Sequence, residues 1–319
     1  MTSPFGREFE DVSCSFMPKL DAVYIPALAS RDKPSFDMEQ LLRYTEKVFF
    51  LFSDVITDWG IQMPSKVKLI SMEKQTSFIK QYILQRGNIN PSVEFRPNFD
   101  IPLKRSYALF DARKNSFRSI LLLDDDILIT QDTLKKGISA LAHGVSVMGF
   151  HVVDYPDVST LDHISRIVCE KENVVSMTGS CMFINVDEVT GDFPNVYNED
   201  LFFFMMQPRQ FSVVSGGFVR QCPYESFQSL DRVKHEQFGD LIYDAIKKRF
   251  LGYTNDRIDW DFEIEDRIKY IDYLHSQTTN SSAKQALVEA KNAISCFSKK
   301  DITDFLSAYP FAEWVTKYL

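Results

Sequence analysis

Short apolar runs alternate with longer amphipathic segments in the first part of the chain. Short runs bounded by turn residues predict strands, and apolar residues at every third or fourth position predict helices. The predicted strands lie at 21–26, 66–72, 92–98 and 120–123. The predicted helices lie at 38–52, 73–87 and 101–115. This alternation indicates parallel β-α units and therefore an α/β fold, a doubly wound Rossmann-like mixed sheet with helices on both faces.

The second half begins with the same kind of pattern and ends with a different one. A helix is predicted around 137–144, and strands at 145–154, 174–189 and from 211 onwards. From about Asp240 to Leu319 helical periodicity dominates, interrupted by the polar stretch 276–284. We therefore expect a helical C-terminal appendage after the sheet.

The predicted strand at 120–123 runs directly into three carboxylates, Asp124, Asp125 and Asp126. Adjacent negative charges at the end of a buried strand repel one another, and removing them from water is costly unless they are paired, hydrogen-bonded or bound to a metal. Carboxylate oxygens suit Mg²⁺ or Mn²⁺, which complete their coordination with water and substrate phosphates. This favours a metal ion bridging to a diphosphate; the alternative is that the acids cap the next helix and face water.

Overall charge and cysteine content narrow the functional class. The formal net charge of −8 over 319 residues argues against a general nucleic-acid binder, because phosphates are held mainly by Lys and Arg. Five cysteines, an odd number without CxxC spacing, indicate reduced thiols. No apolar run reaches the roughly 18 residues that span a bilayer, and the first residues lack the pattern of a secretion signal. We therefore expect a cytoplasmic protein without a transmembrane segment.

The order of these motifs resembles the nucleotide-sugar glycosyltransferases of the GT-A fold, over roughly residues 20 to 240. The segment Leu123 to Asp126 is similar to their Leu-Asp-x-Asp motif, which implies that Asp124 faces the nucleoside and ribose and that Asp126 binds the metal. The resemblance also implies a base-binding loop after the first strand and a basic helix that contacts the donor. Donor-binding side chains are thus expected at Asp124, Asp125, Arg31, Asp32, Lys104 and Arg105.

A second acidic motif, Tyr-Asn-Glu-Asp, precedes the apolar helix that begins near residue 199. In inverting enzymes with a similar motif the Asp is the general base on the acceptor hydroxyl, which implies this role for Asp200 with Glu199 beside it. The alternative is that Asn198, Glu199 and Asp200 only cap the helix, and the two interpretations are compatible. The resemblance implies His235 as a third metal ligand, although a lone histidine is more often structural. Gly179 and Ser180 either admit an acceptor close to the backbone or serve tight packing.

These observations predict a glycosyltransferase domain at 1–244 and a helical C-terminal extension at 245–319. The nucleotide-sugar part would cover about 20–130 and the acceptor part about 131–244. The predicted reaction moves one sugar from a UDP- or GDP-linked donor, with Mn²⁺ or Mg²⁺, to an acceptor that the sequence does not identify. The extension would form either an acceptor-side wall or a contact between two copies of the chain.

Three alternatives stay open. The segment 121–129 together with 147–154 is also similar to the exostosin-type transferases, which retain the anomeric configuration. A sugar nucleotidyltransferase would use paired aspartates and a metal too, but usually has a Gly-rich basic loop that this chain lacks. The non-enzymatic alternative is a lectin-like or scaffold protein that retains an inactive transferase fold, and the intact acids at 124–126 and 199–200 argue against it.

Overall fold

The structure is a computed structural model that describes most of the chain. The described residues are 9, 18–27, 34–53, 64–86, 100–155, 158–170, 177–208, 212–223, 229–253, 256–316 and 319. The predicted strand at 92–98 and the predicted base-binding residues Arg31 and Asp32 lie outside these ranges.

One mixed sheet organises the fold, with eight strands among the described residues in the order β3-β2-β1-β4-β7-β6-β8-β5. The strands are β1 Ala22–Ala27, β2 Val48–Phe52, β3 Val67–Ser71, β4 Ser119–Leu123, β5 Ile127–Leu128, β6 Val147–Val153, β7 Met177–Asn185 and β8 Val213–Gln221. Strands β1 to β4 pair in parallel, β7 runs antiparallel to both β4 and β6, and β8 is parallel to β6 and antiparallel to β5.

Helices cover both faces of this sheet. Those of the sheet region are α1 Met38–Tyr44, α2 Thr76–Arg86, α3 Ile101–Lys114, α4 Gln131–Ala142, α5 Thr160–Cys169 and α6 Glu199–Met206. Along β4 successive side chains point to opposite faces, so Leu122 packs with α3 and α6 while Leu121 packs with α1 and α4. The predicted α/β class, with a doubly wound mixed sheet, is confirmed.

The segment Val48–Phe52 is a strand, and the prediction of one helix from Met38 to Phe52 is wrong. The helix ends at Tyr44, and three residues later Val48–Phe52 pair with β1 on one side and β3 on the other. All five are buried. A short run of aromatic and branched residues fits a strand covered on both faces, and its spacing alone does not distinguish this from a buried helix.

The C-terminal part is helical, as predicted. Its helices are α7 Leu230–Phe250, α8 Trp260–Gln277, α9 Ser281–Ile294, α10 Lys299–Ala308 and α11 Glu313–Thr316. The domain boundary predicted at residue 244 lies inside α7. Phe238, Leu274 and Phe305 belong to the same hydrophobic cluster as Leu122 of the sheet, so these helices pack on the sheet region. No helix in the described part of the chain is long and apolar enough to cross a bilayer.

Candidate functional site

A cavity of about 360 Å³ opens at the carboxyl ends of β1 and β4. From β1 the chain continues to β2 and β3 on one side, and β4 extends the sheet on the other side. Strand order therefore reverses between these two neighbours, and such a switch point is where ligands bind in doubly wound sheets. Ala27 at the end of β1 and Asp124 after β4 both line the cavity, which also contains Glu199 and Asp200.

The counter-charge for the acidic strand end is the guanidinium of Arg105, on α3. Its Nη2 donates to both carboxylate oxygens of Asp124 at 3.0 Å, and its Nη1 donates to Oε1 of Glu199 at 2.5 Å. Burial lowers the pKa of this guanidinium, but the carboxylates of Asp124, Glu199 and Asp200 outweigh it and hold that pKa above its usual range. One buried cation thus joins the two acidic motifs that the sequence separates.

Gly179 leaves room for this ion pair. A Cβ at that position would lie 2.7 Å from Nη1 of Arg105 and 2.6 Å from Cβ of Asp200, which is too close for any side chain. The backbone N–H of Gly179 donates to one carboxylate oxygen of Asp200, and that of Leu201 donates to the other at 2.8 Å. Asp200 is therefore held in one orientation by two backbone groups.

Gly179 and Ser180, the predicted acceptor contacts, lie on β7 next to Asp200 and Asp124. Neither residue lines the cavity, and Ser180 is buried. The carbonyl of Ser180 accepts the backbone N–H of Asp124 at 2.8 Å, because β7 pairs with β4 at this point. Both residues thus contact the acids through their backbone groups, and their contact with an acceptor stays a prediction.

Asp125 and Asp126 are nearly buried, with 5% and 8% of their surfaces exposed, and both line the cavity. The carbonyl of Asp125 accepts the N–H of Ser35, and that of Asp126 accepts the N–H of Cys222 at 3.0 Å. Nε2 of Gln221, at the end of β8, donates to Oδ2 of Asp126 at 3.2 Å. Residues 124–126, which we call the acidic turn, are thus fixed between Ser35, which precedes α1, and the end of β8.

The predicted metal ligands do not form a closed coordination sphere. Within the described ranges, no group of three or more His, Cys, Asp or Glu side chains could hold a metal ion, so the set Asp126, Asp124 and His235 is not assembled there. His235 does line the same cavity. Mg²⁺ is commonly held by one or two carboxylates, with water and phosphate oxygens completing its shell. The acidic turn fits a cation bound in that open manner.

Lys104 is placed differently from its neighbour on α3. Its ammonium is fully buried, forms an ion pair with Asp100 at 2.8 Å, and donates to the carbonyl of Ala27 and to Oγ of Ser53. It does not line the cavity, and the donor contact predicted for Lys104 stays a prediction. Its contacts instead tie the carboxyl end of β1 to the residue that follows β2.

The turn before the Glu-Asp pair is held by Asp240 and Arg267, two residues to which the sequence analysis gave no role at the site. Asn198 has a left-handed backbone (φ 64°), a conformation that Asn tolerates better than most residues. Its Nδ2 donates to Oδ1 of Asp240 on α7 at 2.8 Å, and Oδ2 of Asp240 accepts from Arg267 on α8 at 2.9 Å. The C-terminal helices therefore help to position the acidic pair.

The stability of the protein should depend on the ionisation of Glu199. Burial raises the pKa of this carboxyl to about 8, although Arg105 opposes the rise. A carboxyl with a raised folded-state pKa stabilises the fold below its unfolded pKa of about 4.5, and this contribution is lost as pH rises through about 8. We expect Glu199→Gln to remove on the order of a few kcal/mol of pH-dependent stability over that window.

Urea unfolding of wild type and Glu199→Gln at about pH 5, 6.5 and 8 measures this effect. Glu73→Gln, which removes an exposed carboxyl from a short 3₁₀-helix, is the matched control and should follow the wild-type curve. Parallel stability curves for wild type and Glu199→Gln would contradict the raised pKa.

Comparisons with known proteins give structural likenesses alone. No family model matches the chain, and no curated protein matches it. Among solved structures, the chain is similar to the glucosyl-3-phosphoglycerate synthase of M. tuberculosis, with a TM-score of 0.40 and 11% identity over 67% of this chain and 74% of that one. It is also similar to a putative nucleotide-diphospho-sugar transferase from Desulfovibrio desulfuricans G20, with a TM-score of 0.34 and 8% identity over 80% of this chain and 98% of that one. At such scores, neither likeness bears on what this chain binds.

Proposed function

We propose that this chain is a glycosyltransferase that moves one sugar from a UDP- or GDP-linked donor to an acceptor hydroxyl, with Mn²⁺ or Mg²⁺ as cofactor. The observation that carries the proposal is a cavity shared by both acidic motifs at the strand switch point. It brings the acidic turn after β4 together with Glu199 and Asp200, around the buried Arg105.

The donor is expected at the ends of β1 and β4. A nucleoside fits the switch point, where Pro26 and Ala27 form an apolar wall beside Asp124. The carboxylates of Asp125 and Asp126 supply the hard oxygen ligands that Mg²⁺ and Mn²⁺ prefer. A bound ion would neutralise charge on the diphosphate and stabilise the charge that develops as it leaves.

The acceptor hydroxyl is expected next to Asp200. Each of its carboxylate oxygens accepts one backbone N–H and keeps further acceptor capacity, so either can take a proton while the carboxylate stays in place. In the proposed step the acceptor oxygen bonds to the anomeric carbon and gives its proton to Asp200. The bond from that carbon to the phosphate oxygen breaks, and the diphosphate leaves with the electron pair. Arg105, which bonds both Glu199 and Asp124, fixes the positions of these two acids relative to each other.

Asp126→Asn is expected to remove most metal-dependent donor affinity, because a neutral amide is a weaker cation ligand while the side chain keeps its shape. Calorimetric titration of UDP and GDP, with and without Mn²⁺, should show at least about tenfold weaker binding. The fold should be kept, since no cavity is created.

Asp132→Asn is the matched control for this test. Asp132 is an exposed residue in the first turn of α4, outside the cavity, and its substitution makes the same change in charge. Its donor affinity should equal that of wild type. Metal-dependent nucleotide binding that survives Asp126→Asn unchanged, or wild-type protein that binds neither nucleotide with Mn²⁺, would overturn the proposal.

A further inference from the structure

The end of β8 holds the acidic turn through one side chain, that of Gln221. Pairing of β8 with β5 places Gln221 opposite Ile127, the residue that follows Asp126. The backbone N–H of Cys222 donates to the carbonyl of Asp126 at 3.0 Å. Gln221 has 5% of its surface exposed and lines the cavity together with Asp126. Backbone pairing thus fixes this glutamine against the last carboxylate of the acidic turn.

The side chain of Gln221 acts on one of the two carboxylate oxygens of Asp126. Its Nε2 donates to Oδ2 at 3.2 Å. An N–H that points at an oxygen takes up part of its acceptor capacity and places a partial positive charge beside it. A cation that bound both oxygens of Asp126 would meet this N–H at Oδ2 and would have to displace it. Gln221 therefore favours an ion that binds Asp126 through a single oxygen.

The other group of the same amide has no partner. Oε1 of Gln221 is buried and accepts no hydrogen bond from the described residues. A buried carbonyl oxygen without a donor costs folding free energy, and an apolar side chain of similar length would avoid that cost. Rotating the amide by about 180° would bring Oε1 against Oδ2 of Asp126, where two acceptors repel. The amide of Gln221 is therefore explained by its contact with Asp126 and not by packing.

Divalent cations differ in how they use a carboxylate. Mg²⁺ demands a near-ideal octahedron of oxygens and keeps several waters, so one oxygen from each carboxylate suffices. Mn²⁺ with oxygen ligands is octahedral too. Ca²⁺ is larger, takes about six to eight oxygens and can bind a carboxylate through both of its oxygens. A carboxylate limited to one oxygen therefore suits Mg²⁺ and Mn²⁺ better than Ca²⁺.

We propose that Gln221 makes the acidic turn select Mg²⁺ or Mn²⁺ over Ca²⁺, by holding Oδ2 of Asp126 so that this carboxylate binds the ion through one oxygen. Gln221 is a positioning residue in this assignment, since it contacts Asp126 and not the ion. This role rests on the proposed binding of an ion at the acidic turn. It adds to the proposed function an ion selectivity and the residue that sets it.

Competition between Mn²⁺ and Ca²⁺ tests this role on the full chain, without nucleotide. The electron paramagnetic resonance signal of unbound Mn²⁺ measures how much of the ion the protein holds, and added Ca²⁺ competes for the same site. Wild type should bind Mn²⁺ at least about tenfold more tightly than Ca²⁺. A wild-type chain that binds no Mn²⁺, or that binds both ions equally, would overturn the proposal whatever the variants do.

Gln221→Met assigns the preference to this residue. Methionine has a similar length and is apolar, so it removes the N–H and keeps the site filled. The ratio of the Ca²⁺ and Mn²⁺ dissociation constants should fall towards one by at least about fivefold. A general loosening of the site would weaken both ions alike and leave that ratio unchanged. An unchanged ratio in folded Gln221→Met would refute the role of Gln221.

Two further variants control for burial and for the carboxylate. Gln237→Met is the matched control, because Gln237 is also buried and its Oε1 also lacks a donor among the described residues. Its Nε2 donates to the carbonyl of Val233, outside the cavity, so the wild-type ratio should be kept. In an Asp126→Asn background, Gln221→Met should no longer change the ratio, since the carboxylate on which Gln221 acts is gone. An equal shift in either control would contradict the assignment.

The result is distinguishable from that of the donor experiment. A Mn²⁺ preference that depends on Gln221, in a chain that binds neither UDP nor GDP, would keep the role of Gln221 and reject the glycosyltransferase. Nucleotide binding that Ca²⁺ supports as well as Mn²⁺ does would keep the enzyme and reject the role of Gln221.

Discussion

Asp200→Asn is expected to lower the transfer rate by about 10² to 10⁴-fold while donor affinity stays near that of wild type, because a general base acts on the acceptor and not on donor binding. An amide cannot take the acceptor proton. It also presents an N–H to one of the two backbone N–H groups, those of Gly179 and Leu201, that now donate to the carboxylate. Single-turnover rates with the donor and metal identified by calorimetry measure the loss.

Two controls make this result interpretable. The thermal midpoint and the donor affinity of Asp200→Asn must stay close to wild type, since a shifted fold would also abolish transfer. Asp132→Asn, with the same change in charge outside the cavity, should retain full rate. A variant that keeps more than about a tenth of the wild-type rate would contradict the base role.

The anomeric configuration of the product is the sharper criterion. Single displacement with Asp200 as base inverts the configuration, and NMR of the product separates inversion from retention. The backbone groups that hold Asp200 and the guanidinium that holds Glu199 also suit a retaining enzyme, in which fixed acids would contact the donor sugar. A product with the configuration of the donor would overturn the role given to Asp200, whatever the rate of the variant.

The sequence predicted the parts of the fold whose pattern is set by burial on both faces. An unbroken apolar run that ends in charged residues, as in β4 and Asp124, is typical of a central strand whose end lies at a polar edge of the sheet. The same reasoning missed β2, because Val48–Phe52 follows a helix after only three residues and its apolar spacing extends the helical pattern. Pairing with β1 and β3, which spacing does not encode, decides its structure.

The sequence allowed the acidic residues of the site to be predicted, but not the orientation of the basic side chains around them. Lys104 and Arg105 are adjacent on α3 and therefore point about 100° apart. The orientation of the helix on the sheet places Arg105 against the acids and turns Lys104 towards Asp100 and the strand ends. The sequence predicted the same donor contact for both, because nothing in a basic pair says which member faces the ligand.

The connection of Asn198 to Asp240 and Arg267 could not be predicted from the sequence. Two hydrogen bonds, from Asn198 to Asp240 and from Arg267 to Asp240, connect a turn, α7 and α8, which are far apart in sequence. Each residue alone is an ordinary polar residue of a helix or turn, and only the packing of the C-terminal helices on the sheet brings them together. These helices thus act on the candidate site through the turn that carries Glu199.

Gly239→Ala is expected to destabilise the protein by about 3 kcal/mol or more, although a glycine to alanine change inside a helix normally stabilises by up to about 1 kcal/mol. A Cβ at this position of α7 would lie 1.9 Å from the carbonyl oxygen of Tyr197. That atom is backbone and cannot rotate away, and the residue after it, Asn198, is fixed to Asp240. Either α7 or the turn must move, and both movements displace Glu199.

Gly137→Ala separates this clash from the general cost of a new methyl group. Gly137 is also inside a helix, and its Cβ would lie 2.4 Å from the ring of Phe183, a side chain that can shift in part. Urea unfolding should therefore rank the stabilities as wild type above Gly137→Ala above Gly239→Ala. Only Gly239→Ala should also weaken the site, since only there does the strain reach the turn before Glu199 and Asp200. Wild-type stability in Gly239→Ala would mean that α7 does not pack tightly against this turn. It would contradict the proposal that the C-terminal helices position Glu199 and Asp200.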